Sequence, residues 1–223
     1  VYGYLPDGPG QWKKGASVGR SMVAGDFNGD NVCDLALGNP DYITATGTAG
    51  DDGIVAMYLG QKAVGENTGG LSPYPHRVWE AKDTQEYWTS KFGYRLESGD
   101  LDGDGLDELA VVQSHLKFIR VFTGQSMLGA ASQTVAAASD AQWTSTLSSG
   151  GRGADVRIAD INNDGAVDLI VGTMGFNSAR GSVQLHLGQL NALPDTSPSA
   201  TVLGKDGGDQ LGAALAVLDD LDA

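Results

Sequence analysis

The sequence predicts an all-β chain built from repeated units, and three observations carry that expectation. One acidic loop occurs three times, in residues 25–38 (GDFNGDNVCDLALG), 99–112 (GDLDGDGLDELAVV) and 159–172 (ADINNDGAVDLIVG). Each loop runs straight into a short apolar segment: Leu35-Ala36-Leu37, Leu109-Ala110-Val111-Val112 and Leu169-Ile170-Val171. The composition, with 33 glycines, 7% aromatic and 41% hydrophobic residues, suits many short strands joined by tight turns and excludes a disordered chain.

The loops carry oxygen side chains at positions 1, 3, 5 and 9. These are Asp26, Asn28, Asp30 and Asp34; Asp100, Asp102, Asp104 and Glu108; and Asp160, Asn162, Asp164 and Asp168. Alternate residues of a tight turn converge on one centre, and such a set of hard oxygens suits Ca²⁺, which takes six to eight of them with backbone carbonyls and water included. The carbonyls of Val32, Leu106 and Ala166 at position 7 are the natural backbone ligands. Gly105 and Gly165 at position 6 permit the positive φ of a sharp turn, and Asn31, tolerant of the left-handed region, is expected to close the first loop. About three calcium sites follow.

A single acidic loop is as readily a solvated turn. Three copies at fixed spacing, each entering an apolar run, are not. An EF-hand needs a bidentate Glu at position 12 and flanking helices. Position 12 here is Leu37, Val111 and Val171, within short strand-like runs.

Taken in order, residues 1–16 alternate apolar and polar residues around a turn at Pro6-Asp7-Gly8 and read as a hairpin. Residues 18–24 lead into the first loop, and residues 53–61 (GIVAMYLGQ) form a third strand. The connection 62–91 holds one more strand, Arg77-Val78-Trp79. FGYRLESGD leads into the second loop and residues 116–125 close that unit; the Ser, Thr and Ala-rich stretch 126–149 follows, with Ala136-Ala137-Ala138 too weakly flanked for a helix. The third unit runs from Gly153 to residues 181–189. The pairs Gly60-Gln61, Gly124-Gln125 and Gly188-Gln189 recur at 64-residue intervals, and Asp220-Leu221-Asp222 starts an incomplete fourth motif.

Units of about 60 residues with some four strands suit propeller blades. Phe92-Gly93, seven residues before the loop at Asp100, with Val18-Gly19, Arg152-Gly153 and Leu211-Gly212 as counterparts and Gly38-Asn39-Pro40 as the second element, resembles the FG-GAP repeat of the integrin α-subunit β-propeller. The resemblance covers essentially the whole chain. It implies blades of four antiparallel strands, with calcium held between the first two strands of each, in a ring of about seven blades. One propeller region is thus expected: residues 1–16 end a preceding blade, 17–91, 92–149 and 150–210 are metal-bearing blades, and 211–223 begin another with a strand at 211–219. A chain of 223 residues is too short for the full ring, so further blades or a second chain are expected to complete it. Open arcs leave strand edges that something must cover.

The formal charge is 14 − 28 = −14, and ten of the 28 carboxylates stand at positions 1, 3, 5 and 9 of the three loops. With no basic stripe, nucleic acid is excluded as a partner, and anionic membrane surfaces are disfavoured. No apolar stretch approaches the length of a membrane span, and Val1 does not open a leader peptide, as expected of a chain from which a signal has been removed. Cys33 forms no internal disulfide and is expected to be a small buried side chain. Calcium loops favour an extracellular or cell-surface setting, where millimolar calcium fills modest sites.

These features point to a secreted, calcium-stabilised module for adhesion or recognition of a protein or glycan ligand on the blade loops, with structural metals. Trp79, Tyr87 and Trp88 are either ligand platforms or packing between blades. The alternative is a lectin on the same scaffold, but Trp12, Trp79, Trp88 and Trp143 hold no common phase relative to the loops. A hydrolase, or a propeller accessory to one, ranks third. His76, His115 and His186 are scattered and no nucleophile elbow is present, so no enzymatic activity is expected. Asp195 to Ser199 matches a metal-adhesion D-x-S-x-S pattern but follows Asn191-Ala192-Leu193-Pro194 rather than an apolar strand, and reads as a polar loop.

Overall fold

The computed structural model describes residues 19–42, 53–63, 69–80, 91–113, 118–128, 141–144 and 154–218. They form three four-stranded antiparallel sheets of a partial β-propeller, each with its strands in sequence order. The first holds β1 (Ser21–Gly25), β2 (Asp34–Asn39) and β3 (Ile54–Tyr58); a two-stranded ribbon, β4 (Gly60–Gln61) with β5 (Gly70–Leu71), precedes its last strand, β6 (Arg77–Glu80). The second holds β7 (Phe92–Gly99), β8 (Glu108–Gln113), β9 (Phe118–Phe122) and β10 (Ala141–Thr144), with one helical turn, α1 (Gly124–Met127), after β9. The third holds β11 (Ala154–Ala159), β12 (Asp168–Thr173), β13 (Ser182–His186) and β14 (Ala200–Leu203).

Each acidic loop joins the first two strands of its sheet. Gly25 pairs with Asp34, Gly99 with Glu108 and Ala159 with Asp168, so the ninth loop residue opens the second strand at the same register each time. Successive side chains of a strand point to opposite faces, and the runs of β8 and β12 are buried on both, whereas in β2 Ala36 is buried and Leu35 and Leu37 are half-buried. Leu109 and Val111 of β8 pack with Ala36, Val55, Met57 and Trp79 of the first sheet. Ala110 and Val112, one residue on in each case, pack with Val156, Leu169 and Val171 of the third. The sheets therefore stack face to face, with the second in the middle.

Two glycines explain how closely they stack. Gly93 has φ +81° and lies against Gly38 of β2, where an added Cβ would sit 2.2 Å from the Gly93 carbonyl oxygen. The same contact recurs between Gly212, also at φ +81°, and Gly172 of β12, where that distance is 2.4 Å. Gly93 of the Phe92-Gly93 pair and Gly38 of Gly38-Asn39-Pro40 are thus facing halves of one backbone contact, sealed at this first seam by the Ser21 hydroxyl donating to the Gly93 carbonyl at 2.8 Å. Bridges from Gly53 to Phe92 and from Gly181 to Leu211 place the start of the following unit at the same point on each sheet.

Some expectations change. Cys33 is exposed rather than buried, because its side chain sits on the loop before the acid that opens β2, and it is the carbonyl of Cys33 that packs inward on Gly60. Trp79 is 2% exposed, with its ring 5.1 Å from that of Phe122, so it packs between sheets and offers no ligand platform. Among residues 211–218 only Leu211 makes a bridge, and no strand forms; Leu215 N–H instead donates to Asp155 at 2.8 Å. Residues 195–199 lie in the loop between β13 and β14. The hairpin at 1–16, Tyr87, Trp88, His115, Ala136 to Ala138, and the motif at Asp220 and Asp222 lie outside the described residues.

Candidate metal centres

The three loops share one internal hydrogen-bond pattern. The first carboxylate accepts from backbone N–H groups later in its own loop: Asp26 from Gly29, Asp30 and Asn31 at 2.8–3.2 Å, Asp100 from Gly105 at 3.1 Å, and Asp160 from Asp164 and Gly165 at 3.2 and 2.9 Å. Position 3 accepts from the N–H of position 5, and position 5 from that of position 7, in each loop: Asn28, Asp102 and Asn162, then Asp30, Asp104 and Asp164. Position 6 has positive φ throughout, at Asn31 (61°), Gly105 (89°) and Gly165 (89°). Position 4 does so too, at Gly29, Gly103 and Asn163, a second left-handed residue absent from the sequence argument.

The ninth residue behaves differently. Asp34, Glu108 and Asp168 are at most 1% exposed. One carboxylate oxygen of each accepts from the N–H of position 2: Phe27 at 3.1 Å, Leu101 at 2.7 Å and Ile161 at 2.9 Å. The other accepts from Gly60, Gly124 or Gly188 at 2.8, 3.1 and 2.7 Å. The glycine of each repeated Gly-Gln pair is thus the donor that ties the loop to the third strand. A side chain there has no room, since a Cβ would lie 2.3–2.4 Å from Cys33 O, Leu106 Cβ or Val167 O.

In the second loop Asp100, Asp102 and Glu108 each place a carboxylate oxygen within 4.8 Å of the others. Oδ1 of Asp100 is buried there and accepts no hydrogen bond. A buried, unpaired carboxylate oxygen beside two further carboxylates is costly in a bare protein and is what a hard cation relieves. The donor set therefore fits a divalent cation. Asn28 and Asn162 at position 3 give the other two loops a neutral oxygen, and the Asn162 amide donates to Asp164 at 2.8 Å.

Burial sets the electrostatics. It pushes Glu108 up from 4.5 to about 7, against the N–H groups of Gly124, Leu101 and Asp102 and helped by the charge of Asp102. Burial also raises Asp34, Asp102 and Asp107. A folded carboxyl that holds its proton more tightly than the unfolded chain makes stability fall as pH rises through the window between the two values. In metal-free buffer the denaturant midpoint is expected to be higher near about pH 5 than near about pH 8. Glu108→Gln should shrink that difference; an unchanged pH dependence in the variant would refute the assignment to Glu108.

Asp107, at position 8 of the second loop, was not legible as a site residue. Its Oδ2 accepts from Asp26 N–H at 2.8 Å, and its own N–H donates to the Asp26 carbonyl at 3.0 Å, joining two loops 81 residues apart. Of the described histidines, His76 precedes β6 of the first sheet and His186 is buried in β13 of the third, with Nδ1 2.8 Å from the Asp195 carbonyl, and burial lowers the pKa of His186.

Residues 100–171, from the first ligand position of the second loop to the strand after the third, match the FG-GAP-like repeat family. Integrin alpha-5 of Xenopus laevis is 29% identical over 180 residues, covering 75% of this chain. The chain spans 16% of the length of that relative. Among the described residues no helix is long and apolar enough to cross a membrane. The three loop-bearing four-stranded sheets, stacked through paired glycines, form a partial β-propeller that is similar to FG-GAP repeats of the integrin alpha-like kind.

Proposed function

We propose that this chain is the calcium-binding propeller portion of an extracellular recognition protein, in which three Ca²⁺ ions pin the strand-connecting loops and a protein ligand or partner chain is met on the blade surface. The observation that carries it is the repeated donor arrangement of the loops, with a buried Asp100 oxygen left for a ligand in the second. The side chains of positions 1, 3, 5 and 9 with the carbonyls of Val32, Leu106 and Ala166 are the proposed ligands. Bound calcium would neutralise carboxylates that burial otherwise drives toward protonation, so below about pH 7 binding should release a proton from Glu108. The metals are structural, the blades follow the divisions 17–91, 92–149 and 150–210, and the module is not catalytic.

Trp79 is spent between sheets and is no part of a ligand platform. The third sheet supports a neighbouring blade. Position 2 of each loop is apolar, and Phe27 and Leu101 are buried in the seam with the next sheet, but Ile161 is 46% exposed, and Val202 of β14 is 60% exposed. Another blade, from the same protein or from a second chain, would bury this face.

Calorimetric titration of the chelated chain with calcium is expected to fill about three sites. Asp104→Ala should remove the second. Saturation at a hundredfold excess over Kd stabilises by about 2.7 kcal/mol per site, visible as a higher Tm. An absence of binding and of any Tm shift at millimolar calcium would sink the proposal.

A further inference from the structure

We propose that Asp107 couples the first cation loop to the second, so that these two ions bind cooperatively while the third loop fills independently; this rests on the cation assignment above. Asp107 stands between Leu106, whose carbonyl is the backbone ligand, and Glu108, the ninth-position ligand. Its reciprocal bonds hold both the N–H and the carbonyl of Asp26, the first ligand of the neighbouring loop, at 2.8 and 3.0 Å. The surroundings leave this link no slack. A Cβ at Gly25 would lie 2.7 Å from Asp107 Oδ2, and one at Gly29 would lie 2.7 Å from Leu106 Cδ2.

An ion in the second loop fixes the residues on either side of Asp107. It thereby fixes the carboxylate and the N–H that hold the Asp26 backbone, and orders the first ligand of the adjacent site before its own ion arrives. Coupling of this kind is reciprocal: the first ion must favour the second by the same factor. The other seam supplies an internal control. Position 8 of the third loop is Val167, whose side chain has no acceptor to offer the N–H of Asp100. The second and third loops therefore lack the corresponding bridge.

The test is calcium titration of the full chain by calorimetry, with native mass spectrometry for ion counts, on the parent, Asp107→Val and Asp107→Asn. The parent should show two cooperative ions and one independent ion, and Asp164→Ala should remove only the independent one. Asp107→Val, which installs the third loop's own residue, should abolish the cooperativity and weaken the first site about tenfold, the size of a typical coupling. It should leave the third unchanged. Asp107→Asn keeps a carbonyl acceptor and should retain the cooperativity. Cooperativity that survives Asp107→Val, or a loss spread evenly over all three sites, would overturn the coupling while leaving the cation assignment intact. A parent chain that binds no calcium overturns both. Should Asp107→Val not fold, amide exchange reads the same link: in Asp30→Ala, filling the second loop should slow exchange at Asp26 N–H, and an unchanged rate overturns the proposal.

Discussion

Glu108→Ala is expected to lower the unfolding free energy by about 2–5 kcal/mol, a large share of the stability of an ordinary domain. Glu108 is 0% exposed and its two oxygens collect the N–H groups of Leu101, Asp102 and Gly124 at 2.7, 3.3 and 3.1 Å. Those donors belong to the acidic loop and to the turn after β9, so one side chain holds three segments together. Alanine leaves the buried N–H groups of Leu101 and Gly124 unpaired, at about 1–3 kcal/mol for each donor that water cannot reach, and frees the half-buried one of Asp102. Denaturant unfolding in chelator isolates this from any cation effect. A loss below about 1 kcal/mol there would mean that the loop closes without the carboxylate. Asp104→Ala, an exposed position of the same loop, should be nearly silent under those conditions.

The second large effect is expected at a residue with no side chain. Gly38→Ala places a methyl group 2.2 Å from the Gly93 carbonyl oxygen and 2.4 Å from the Ser21 hydroxyl. Backbone on the far side cannot rotate away as a side chain can, so the first two sheets must separate or β2 must shift along its ladder. Overpacking in a close-packed interior costs about 1–3 kcal/mol, and a backbone obstacle puts this case at or above the upper end. Alanine at Gly105, where nothing lies within 4 Å of the added carbon, is the comparison. Its cost should be confined to the strain of φ +89°. Equal losses at the two positions would show that the glycine contact does not hold the seam.

Much of this was legible because it is local. The acidic spacing, the apolar runs that follow and the positive φ at Asn31 all lie within one loop and strand, and sequence periodicity reports on such neighbours directly. The strands Ala141–Thr144 and Ala200–Leu203 were not legible. β14 is exposed at all four residues, so no inward face imposes an alternating pattern on it. Asp107 was missed for a different reason: it lies within an acidic motif, but its partner belongs to another sheet. The Gly-Gln pairs fall between these cases. Their recurrence was visible, while their purpose, donating to a buried acid 16 to 26 residues earlier, required coordinates.

The stacking order has a consequence for how the fold comes apart. β8 is the strand with a hydrophobic neighbour on each face, Leu109 and Val111 toward the first sheet and Ala110 and Val112 toward the third. In the 223-residue chain studied alone, the first and third sheets each share one described interface and open at the cost of one, whereas the second opens at the cost of two. Amide protons of β8 should therefore exchange last. Proteolytic nicking should begin from the outer sheets and stop at the second, leaving its acidic loop as the last to lose its shape.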